Sequence, residues 1–421
     1  MNHNLCITSV ISLLAGLMIV TPVQADTKET QGVLRKTLID DASTFISLRY
    51  RYEMVDQDGL PNNAKASTLR TKLGYKTGTL NDFRASLEIE NVSYAANDNF
   101  NNTLNGKGAT HPTIADPDST EINHAFVTYS GFSNTIVSAG RQPHNLDNQR
   151  FIGTVGWRQN DQSYDSIAIS NTSLPHLKWI YSYVDNVNRI FSDDHPNGDL
   201  DVNAHIINAA YTGLPVGTLT AYSYWLDIED QDLVALSSKT IGLRLSGKRQ
   251  IQDKGTIIYT AEYAVQHDHG DNPVDYAADY YFLEAGAKAK GLTVKLGYET
   301  LGSDNAGSVA FQTPLATGHA FNGWADRFLT TPATGLTDIS TSLLYKFSNA
   351  KIEYLDGAVI GLVYHDFSAD SGGADYGTEL DAIVKKTFFK RYKAVIKYAD
   401  YSADSYATDS QKLWLQLGAK F

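Results

Sequence analysis

Segments of about ten residues in which apolar and polar side chains alternate recur along the whole chain. In the segment 292–300, Val294 and Leu296 share one face while Lys295 and Glu299 share the other, because successive side chains of a strand point to opposite faces of a sheet. No helical period persists across these segments. The chain is therefore expected to be all-β.

The connections between these segments alternate between short and long. We place eighteen strands near residues 44–55, 66–76, 82–94, 121–130, 134–142, 162–170, 177–187, 202–212, 217–228, 239–248, 255–266, 279–289, 291–301, 336–347, 357–367, 377–387, 391–401 and 411–421. A β-sandwich has no reason to alternate loop length, whereas a membrane barrel has tight periplasmic turns and long outer loops. An open sheet of this size would leave two edges that lipid cannot satisfy. The pattern predicts a closed antiparallel transmembrane β-barrel of about 18 strands, with short periplasmic turns and long extracellular loops, and a lumen wide enough for a water-filled channel.

The last nine residues form an alternating segment that ends on an aromatic side chain. Leu415 and Leu417 share one face, Trp414 and Gln416 share the other, and Phe421 is the final residue. A half-buried strand of a soluble sandwich would have the same local pattern. Together with the loop lengths, however, the segment resembles the closing strand of a bacterial outer-membrane barrel. We therefore expect outer-membrane lipid and the barrel-assembly machinery as partners, the latter through this strand.

The N-terminal residues are typical of export. Residues 1–25 contain no Asp, Glu, Lys or Arg, residues 7–20 are mostly apolar, and Val-Gln-Ala at 23–25 fits signal-peptidase cleavage after Ala25. An N-terminal membrane anchor is the alternative. We expect a signal peptide over 1–25, a short periplasmic segment over 26–42 and an outer-membrane barrel over 43–421, in a Gram-negative bacterium. The one cysteine, Cys6, lies within the signal, so the mature chain has no disulfide and no cysteine site.

The formal net charge of −12 argues against nucleic-acid binding, which needs a basic surface. Much of this charge lies in the long connections, for example in the segments 193–201, 268–275 and 400–409. The 25 tyrosines are typical of interfacial aromatic girdles.

Basic residues on the polar strand faces are candidates for a pore lining, since a Lys or Arg facing lipid at mid-membrane costs about 2–4 kcal/mol. The first three strands project Arg49, Arg51, Arg70, Lys72 and Arg84 inward, and Arg244 and Lys295 continue the set around the wall. They could form a track for an anionic solute or cross-strand ion pairs. For Arg49, Arg51, Arg70 and Lys72 we favour the track, because few acidic residues are near them; for the others we favour ion pairs.

Two long connections have a distinctive composition. Residues 140–159 and 319–332 both combine Arg, Asp, Trp and Gly, as ordered loops folded into a pore would. With the C-terminal strand, they resemble the alginate-export family of outer-membrane porins. The positions that match the family's loop pattern are Arg141, Gln142, Asp147, Gln149, Arg150, Gly156, Trp157, Arg158, Gln159, Trp324, Asp326 and Phe328. The resemblance implies an eighteen-stranded barrel with an electropositive conduit, in which Arg141, Arg150 and Arg158 form a constriction.

The sequence thus favours a porin for passive transport of hydrophilic, anionic solutes, such as alginate-like or other acidic saccharides. No cofactor, metal or catalytic residue is expected, and no P-loop, dinucleotide-binding or Gly-x-Ser-x-Gly motif is present. The alternatives are a barrel enzyme and an adhesin with acidic surface loops.

Overall fold

The computed structural model describes residues 27–304 and 306–421, and they form one closed antiparallel sheet. A helix α1 (Thr27–Arg35) and a π-helical turn (Lys36–Asp40) precede it. The strands are β1 (Ser43–Gln57), β2 (Ala64–Lys76), β3 (Phe83–Asn99), β4 (Ser119–Phe132), β5 (Thr135–Gln142), β6 (Ser163–Asn171), β7 (Leu177–Asn188), β8 (Asp199–Leu214), β9 (Gly217–Ile228), β10 (Ser238–Ile251), β11 (Gly255–Asp268), β12 (Ala277–Ala289), β13 (Leu292–Leu301), β14 (Leu336–Lys346), β15 (Val359–Ser368), β16 (Asp375–Phe388), β17 (Tyr392–Ala403) and β18 (Ser410–Lys420). Short 3-10 turns occur at Val234–Leu236, Gln252–Lys254, Gly318–Ala320 and Glu353–Leu355.

Each strand pairs with its neighbours in sequence, and β1 pairs with β18 to close the barrel. The register of this closing pair runs from Ser47 opposite Lys420 to Gln57 opposite Ser410. The prediction of a closed barrel of about eighteen strands is confirmed. The closure leaves no sheet edge unpaired, which is the condition for a sheet to lie in lipid.

The alternation of side chains separates an apolar outer face from the interior. On β18, Leu415 and Leu417 are 41% and 61% exposed, whereas Trp414, which precedes Leu415, is fully buried. Among the described residues, no helix has the length and hydropathy that a membrane-spanning helix needs.

The two ends of the barrel differ, and we call them the turn end and the loop end. The turn end carries the short connections, the N-terminal helical segment and Phe421. The N-terminal segment contacts the first turn, because the amide of Gly78 donates to the carbonyl of Thr37 at 2.7 Å. The predicted signal peptide lies outside the described residues.

Two long connections fold back into the lumen from the loop end. They are the β5–β6 loop (143–162) and the β13–β14 loop (302–335). Ile152, Phe311, Leu315 and Phe328 of these loops are buried in one hydrophobic cluster that includes inward side chains of the wall, such as Tyr280. Where these loops lie, the lumen therefore contains a packed core and not only the water-filled channel that the strand count predicts. Eighteen strands enclose more space than wall side chains can fill, and the loops occupy it.

Candidate functional site

The two inward loops meet at an aromatic contact. The indole of Trp157, from the β5–β6 loop, stacks on the imidazole of His319, from the β13–β14 loop, with 4.3 Å between centroids and 4° between planes. The ammonium of Lys397, on β17, lies 4.3 Å from the ring centroid of Trp157 and 3.6 Å from that of Trp324. Trp414 of β18 closes the group, 5.5 Å from the same ammonium. A buried cation among aromatic faces is stabilised electrostatically, so Lys397 ties both loops to the wall.

His319 is hydrogen-bonded through both ring nitrogens. Its Nδ1 is 2.6 Å from the carboxylate of Asp326, and its Nε2 is 2.5 Å from Nζ of Lys397. A neutral ring with the proton on Nδ1 donates to the carboxylate and accepts from the ammonium. Burial, together with the charges of Lys397 and Arg158, holds the pKa of His319 well below its ordinary value, although Asp326 opposes this effect.

The inward positions of β1 hold the β5–β6 loop in place. Nη1 of Arg49 donates to the carbonyl of Gly156 at 2.8 Å, and its Nε donates to Gln159 at 2.8 Å. Arg51 is fully buried, donates to the carbonyl of Trp157 at 2.6 Å and lies over its ring at 4.1 Å. Its guanidinium is also 3.7 Å from Asp116. Both arginines point inward as predicted, but their guanidinium groups are hydrogen-bonded to the β5–β6 loop.

The inward positions of β2 are paired with acids. Arg70 lies 3.0 Å from Asp161, and Lys72 contacts Asp161 as well as Glu90 at 2.9 Å and Glu88 at 3.0 Å. The expectation that Arg70 and Lys72 have few acidic neighbours is wrong. Glu88 and Glu90 reach them across the β2–β3 pair, and Asp161 reaches them from the loop. In the structure, these two cations form an ion-pair cluster rather than an open track.

Two predicted arginines of the β5–β6 loop are buried in ion pairs with the wall. Nε of Arg150 is 2.8 Å from Glu299 of β13, and its Nη2 donates to Asn322 at 2.9 Å. Arg158 lies 3.3 Å from Glu53 of β1 and 3.0 Å from Asp326. Lys412 of β18 adds a second cation to Asp326 at 2.9 Å; these contacts and the nearby His319 hold the pKa of this carboxyl well below its ordinary value, against its burial.

An acidic wall lies across the lumen and receives the β13–β14 loop. It consists of Glu299, Asp338, Glu379 and Asp381, on strands β13, β14 and β16, all of which are nearly inaccessible. The amide of Trp324 donates to Asp381 at 3.2 Å, and the amide of Ala325 donates to Glu379 at 2.7 Å. The carboxylates of the wall thus accept hydrogen bonds from loop amides that lie outside the sheet.

Arg141 does not contribute to a constriction. It lies at the end of β5 opposite Ala125 and Asp165, and it shares its strand face with Ala139, which pairs with the exposed Ile167. This is the outer face of the barrel. The guanidinium forms a two-point pair with Asp165 at 2.9 and 3.1 Å. The prediction of a constriction role for Arg141 is wrong, because the matched loop pattern begins on the strand, where alternation sends Arg141 outward and Gln142 inward.

The remaining predicted site residues lie apart from the loop contact. Arg84 is exposed near the first turn and donates to Thr79 at 3.2 Å. Arg244 is paired with Glu262, and Lys295 is 3.0 Å from Glu284, as the ion-pair alternative expected. Asp147 accepts from Asn208 of β8 at 2.8 Å, and its burial raises its pKa. The structure therefore brings together Arg49, Arg51, Arg150, Trp157, Arg158, Trp324 and Asp326, with the Arg70–Lys72 cluster beside them.

A second set of cations lies at the turn end, and we call it the basic ring. Each of its members occupies an inward position near the turn end of its strand: Lys76, Arg84, Lys178, Lys248, Lys288, Lys346, Lys385, Lys393 and Lys420. Within the part of the chain that the structure describes, none of the nine forms an ion pair with a carboxylate. Eight of the nine are exposed, and Lys385 is half-buried. The unpaired inward charge is therefore at the mouth of the barrel and not at its middle.

Sequence reasoning missed three residues of the loop contact. His319 begins a segment that stands out for other side chains, Asp161 lies two residues beyond the end of the other segment, and the alternation of β18 places Trp414 only on its polar face. A tryptophan at an inward position of a wide barrel is itself a signal, because an apolar ring of that size needs a cover. The cover here is Trp157, in edge contact at 5.7 Å.

Comparisons with known proteins agree with this architecture. The sequence model of a family described as alginate export matches residues 41–298. A search of curated protein sequences returns no match to this chain.

Solved structures show the same fold at low sequence identity. OccK9 (OpdG) of Pseudomonas aeruginosa is 15% identical, with a TM-score of 0.70 over 91% of this chain and 100% of that one. OpdK of the same organism, solved with vanillate, is 15% identical, with a TM-score of 0.68 over 91% and 99%. OccAB2 of Acinetobacter baumannii is 16% identical, with a TM-score of 0.68 over the same shares. The fold is that of the outer-membrane porins.

Proposed function

Because the chain belongs to the alginate export family, we propose that it is an outer-membrane channel for hydrophilic anionic solutes, acidic saccharides among them. The observation that carries this proposal is the basic ring at the turn end, which faces the periplasm in outer-membrane barrels. Nine unpaired cations around one mouth raise the local concentration of anions, and low-dielectric walls focus this potential. Transport is diffusion down a gradient, with no chemical step.

The loops supply the second part of the proposed selectivity. They place Arg150, Trp157 and Arg158 across the lumen, where Glu299, Glu53 and Asp326 neutralise the two arginines. A charged solute that passes these loops can replace one partner of such an ion pair and contact the other partner itself. Weak binding at several such places lets a solute enter and leave. The vanillate held by OpdK is itself a carboxylate, which is compatible with an anionic cargo here.

Reversal potentials in planar bilayers test the proposal. Under a KCl gradient, the purified barrel is expected to prefer Cl⁻, and the triple variant Lys346→Gln, Lys385→Gln and Lys393→Gln is expected to shift this preference toward K⁺. The matched control replaces three cations on the outer face of the barrel, Lys65, Lys239 and Arg249, with Gln. A cation preference in the unmodified protein, or equal shifts in both variants, would exclude the ring as the selectivity element.

The cargo class needs its own measurement. Oligomers of uronate should block the Cl⁻ current from the turn end at lower concentration than neutral oligosaccharides of the same length. The ring variant should lose this difference. Equal block by charged and neutral oligomers would mean that size, and not charge, selects the solute.

A further inference from the structure

One turn at the periplasmic end has an unusual composition. Residues 385–393 read Lys-Lys-Thr-Phe-Phe-Lys-Arg-Tyr-Lys, with five cations, three aromatic rings and no acid. They form the hairpin between β16 and β17. Two of the cations, Lys385 and Lys393, point inward and belong to the basic ring, so the channel does not account for the rest of the segment.

The backbone of this turn is strained in a way that exposes an aromatic ring. Phe389 and Lys390 have φ values of 51° and 60°, and the amide of Arg391 donates to the carbonyl of Phe388 at 3.1 Å. Tight hairpins with two such residues usually contain Asn-Gly, because bulky side chains disfavour positive φ. The result is that 86% of the Phe389 side chain is exposed. Aromatic side chains exposed at the end of a barrel are typical of the membrane interface.

The turn continues the lipid-facing surface of the barrel. Val384 and Ile396, one step closer to mid-membrane, are 48% and 50% exposed on the outer face. Phe388, Tyr392 and the C-terminal Phe421 follow on the same face, with Tyr392 and Phe421 in edge contact at 6.1 Å. Aromatic side chains at this position form the girdle that marks the boundary between hydrocarbon and head groups.

Cations lie at the same boundary. The guanidinium of Arg391 is 5.9 Å from the ring of Phe421, and the ammonium of Lys386 is 5.0 Å from the ring of Phe388. Lys386 also donates to the carbonyl of Tyr354, in the neighbouring connection between β14 and β15, at 2.5 Å. Lys390 and Arg391 have no hydrogen-bond or ion-pair partner for their side chains among the described residues. Their charge is directed to the level of the lipid phosphates.

We infer that Phe388, Phe389, Lys390 and Arg391 form a binding surface for the phosphate head groups of anionic phospholipids in the periplasmic leaflet. The aromatic rings insert at the hydrocarbon boundary and the cations pair with the phosphates. Negative surface charge attracts such basic segments, and snorkelling side chains suit this position. The surface lies outside the lumen, so the inference does not depend on the proposed cargo.

A local fluorescence reporter tests the inference. Phe389→Trp places an indole in the patch, and the signal of the five native tryptophans is measured in the unsubstituted protein and subtracted. The barrel is reconstituted into phosphatidylcholine vesicles with increasing brominated phosphatidylglycerol or brominated phosphatidylcholine. Each cation near an anionic surface adds about fivefold to the attraction, so phosphatidylglycerol should quench the reporter at least about fivefold more effectively. Tyr354→Trp, where 82% of the native side chain is exposed, is a second reporter.

Matched variants distinguish a local binding surface from a general effect of the positive charge of the protein. Adding Lys390→Gln and Arg391→Gln to the reporter protein should abolish the preference, whereas Arg249→Gln and Lys254→Gln, the same charge change at the β10–β11 turn, should leave it intact. Heat-modified migration on SDS gels verifies that each barrel is folded. Equal quenching by both lipids, a preference that persists in the first pair, or equal losses in both pairs would overturn the inference.

Discussion

Gly323 lies so close to Glu379 that a Cβ atom added to it would be 2.2 Å from Oε2 of that carboxylate. Gly323 also has a φ of 84°, which side chains rarely adopt. This position lets the amides of Trp324 and Ala325 reach the acidic wall. The absence of a side chain at one residue therefore determines how the β13–β14 loop enters the lumen.

Gly323→Ala should detach this part of the loop from the wall. The substitution combines backbone strain with a clash against a buried carboxylate. Gly372→Ala is the control, because Gly372 has a φ of 82° and nothing within 4 Å of the added Cβ. We expect the control to cost about 1 kcal/mol and Gly323→Ala to cost more, with a larger single-channel conductance. Equal unfolding temperatures for the two variants, measured by heat-modified gel migration, would contradict this.

Trp157→Ala should loosen both inward loops at once. The indole contacts Arg51, His319, Lys397 and Trp414. Because Trp157 is only partly buried, we expect the substitution to cost less than the about 3–5 kcal/mol that is typical of a fully buried tryptophan. The expected result is faster proteolysis within 143–162 and a noisier, larger conductance. Trp225→Ala, on the outer face where the ring is 37% exposed, should change neither measurement. An unchanged conductance in Trp157→Ala would show that the loops are held by other contacts.

The barrel itself could be predicted because its determinants are local. Alternation places each strand, loop length distinguishes its two ends, and all eighteen predicted strands are present. The inward direction of Arg49, Arg51, Arg70 and Lys72 follows from the same alternation, since each lies on the face opposite the apolar residues of its strand.

The partners of these residues could not be predicted, because the chain supplies them from far away. Asp161 is 89 residues from Lys72, and Asp116, which pairs with Arg51, belongs to the connection between β3 and β4. The small number of acidic residues along a strand does not predict whether a distant loop will place an acidic side chain next to it. Arg141 is the opposite case, because the sequence itself contains the answer. The match to the family's loop pattern predicts that Arg141 lies in the lumen, whereas the alternation of β5 places it on the outer face.

Asp161→Asn should destabilise the barrel although it removes a charge from an acidic protein. Arg70 and Lys72 would keep only Glu88 and Glu90, and breaking a buried pair typically costs about 3–5 kcal/mol. The freed cations should also increase Cl⁻ preference in bilayers. Asp404→Asn, at an exposed position of the connection between β17 and β18, is the control. A loss of stability without a change in selectivity would assign the cluster a purely structural role.

Acid pH should weaken the contact between the two loops through His319. Its pKa in the folded protein is below the ordinary value near 6.5, because burial and the cations Lys397 and Arg158 outweigh the attraction of Asp326. The loosened state takes up a proton near pH 6.5 and the packed state does not, so the packing is fully stable above this pH and loses stability as the pH falls below it. Conductance and tryptophan fluorescence should therefore change between pH 7 and pH 5 in the unmodified protein. His319→Gln, which can still donate to Asp326 and accept from Lys397, should remove most of this change, whereas His267→Gln, at an exposed site of β11, should not. An equal pH response in both variants would place the titrating group elsewhere.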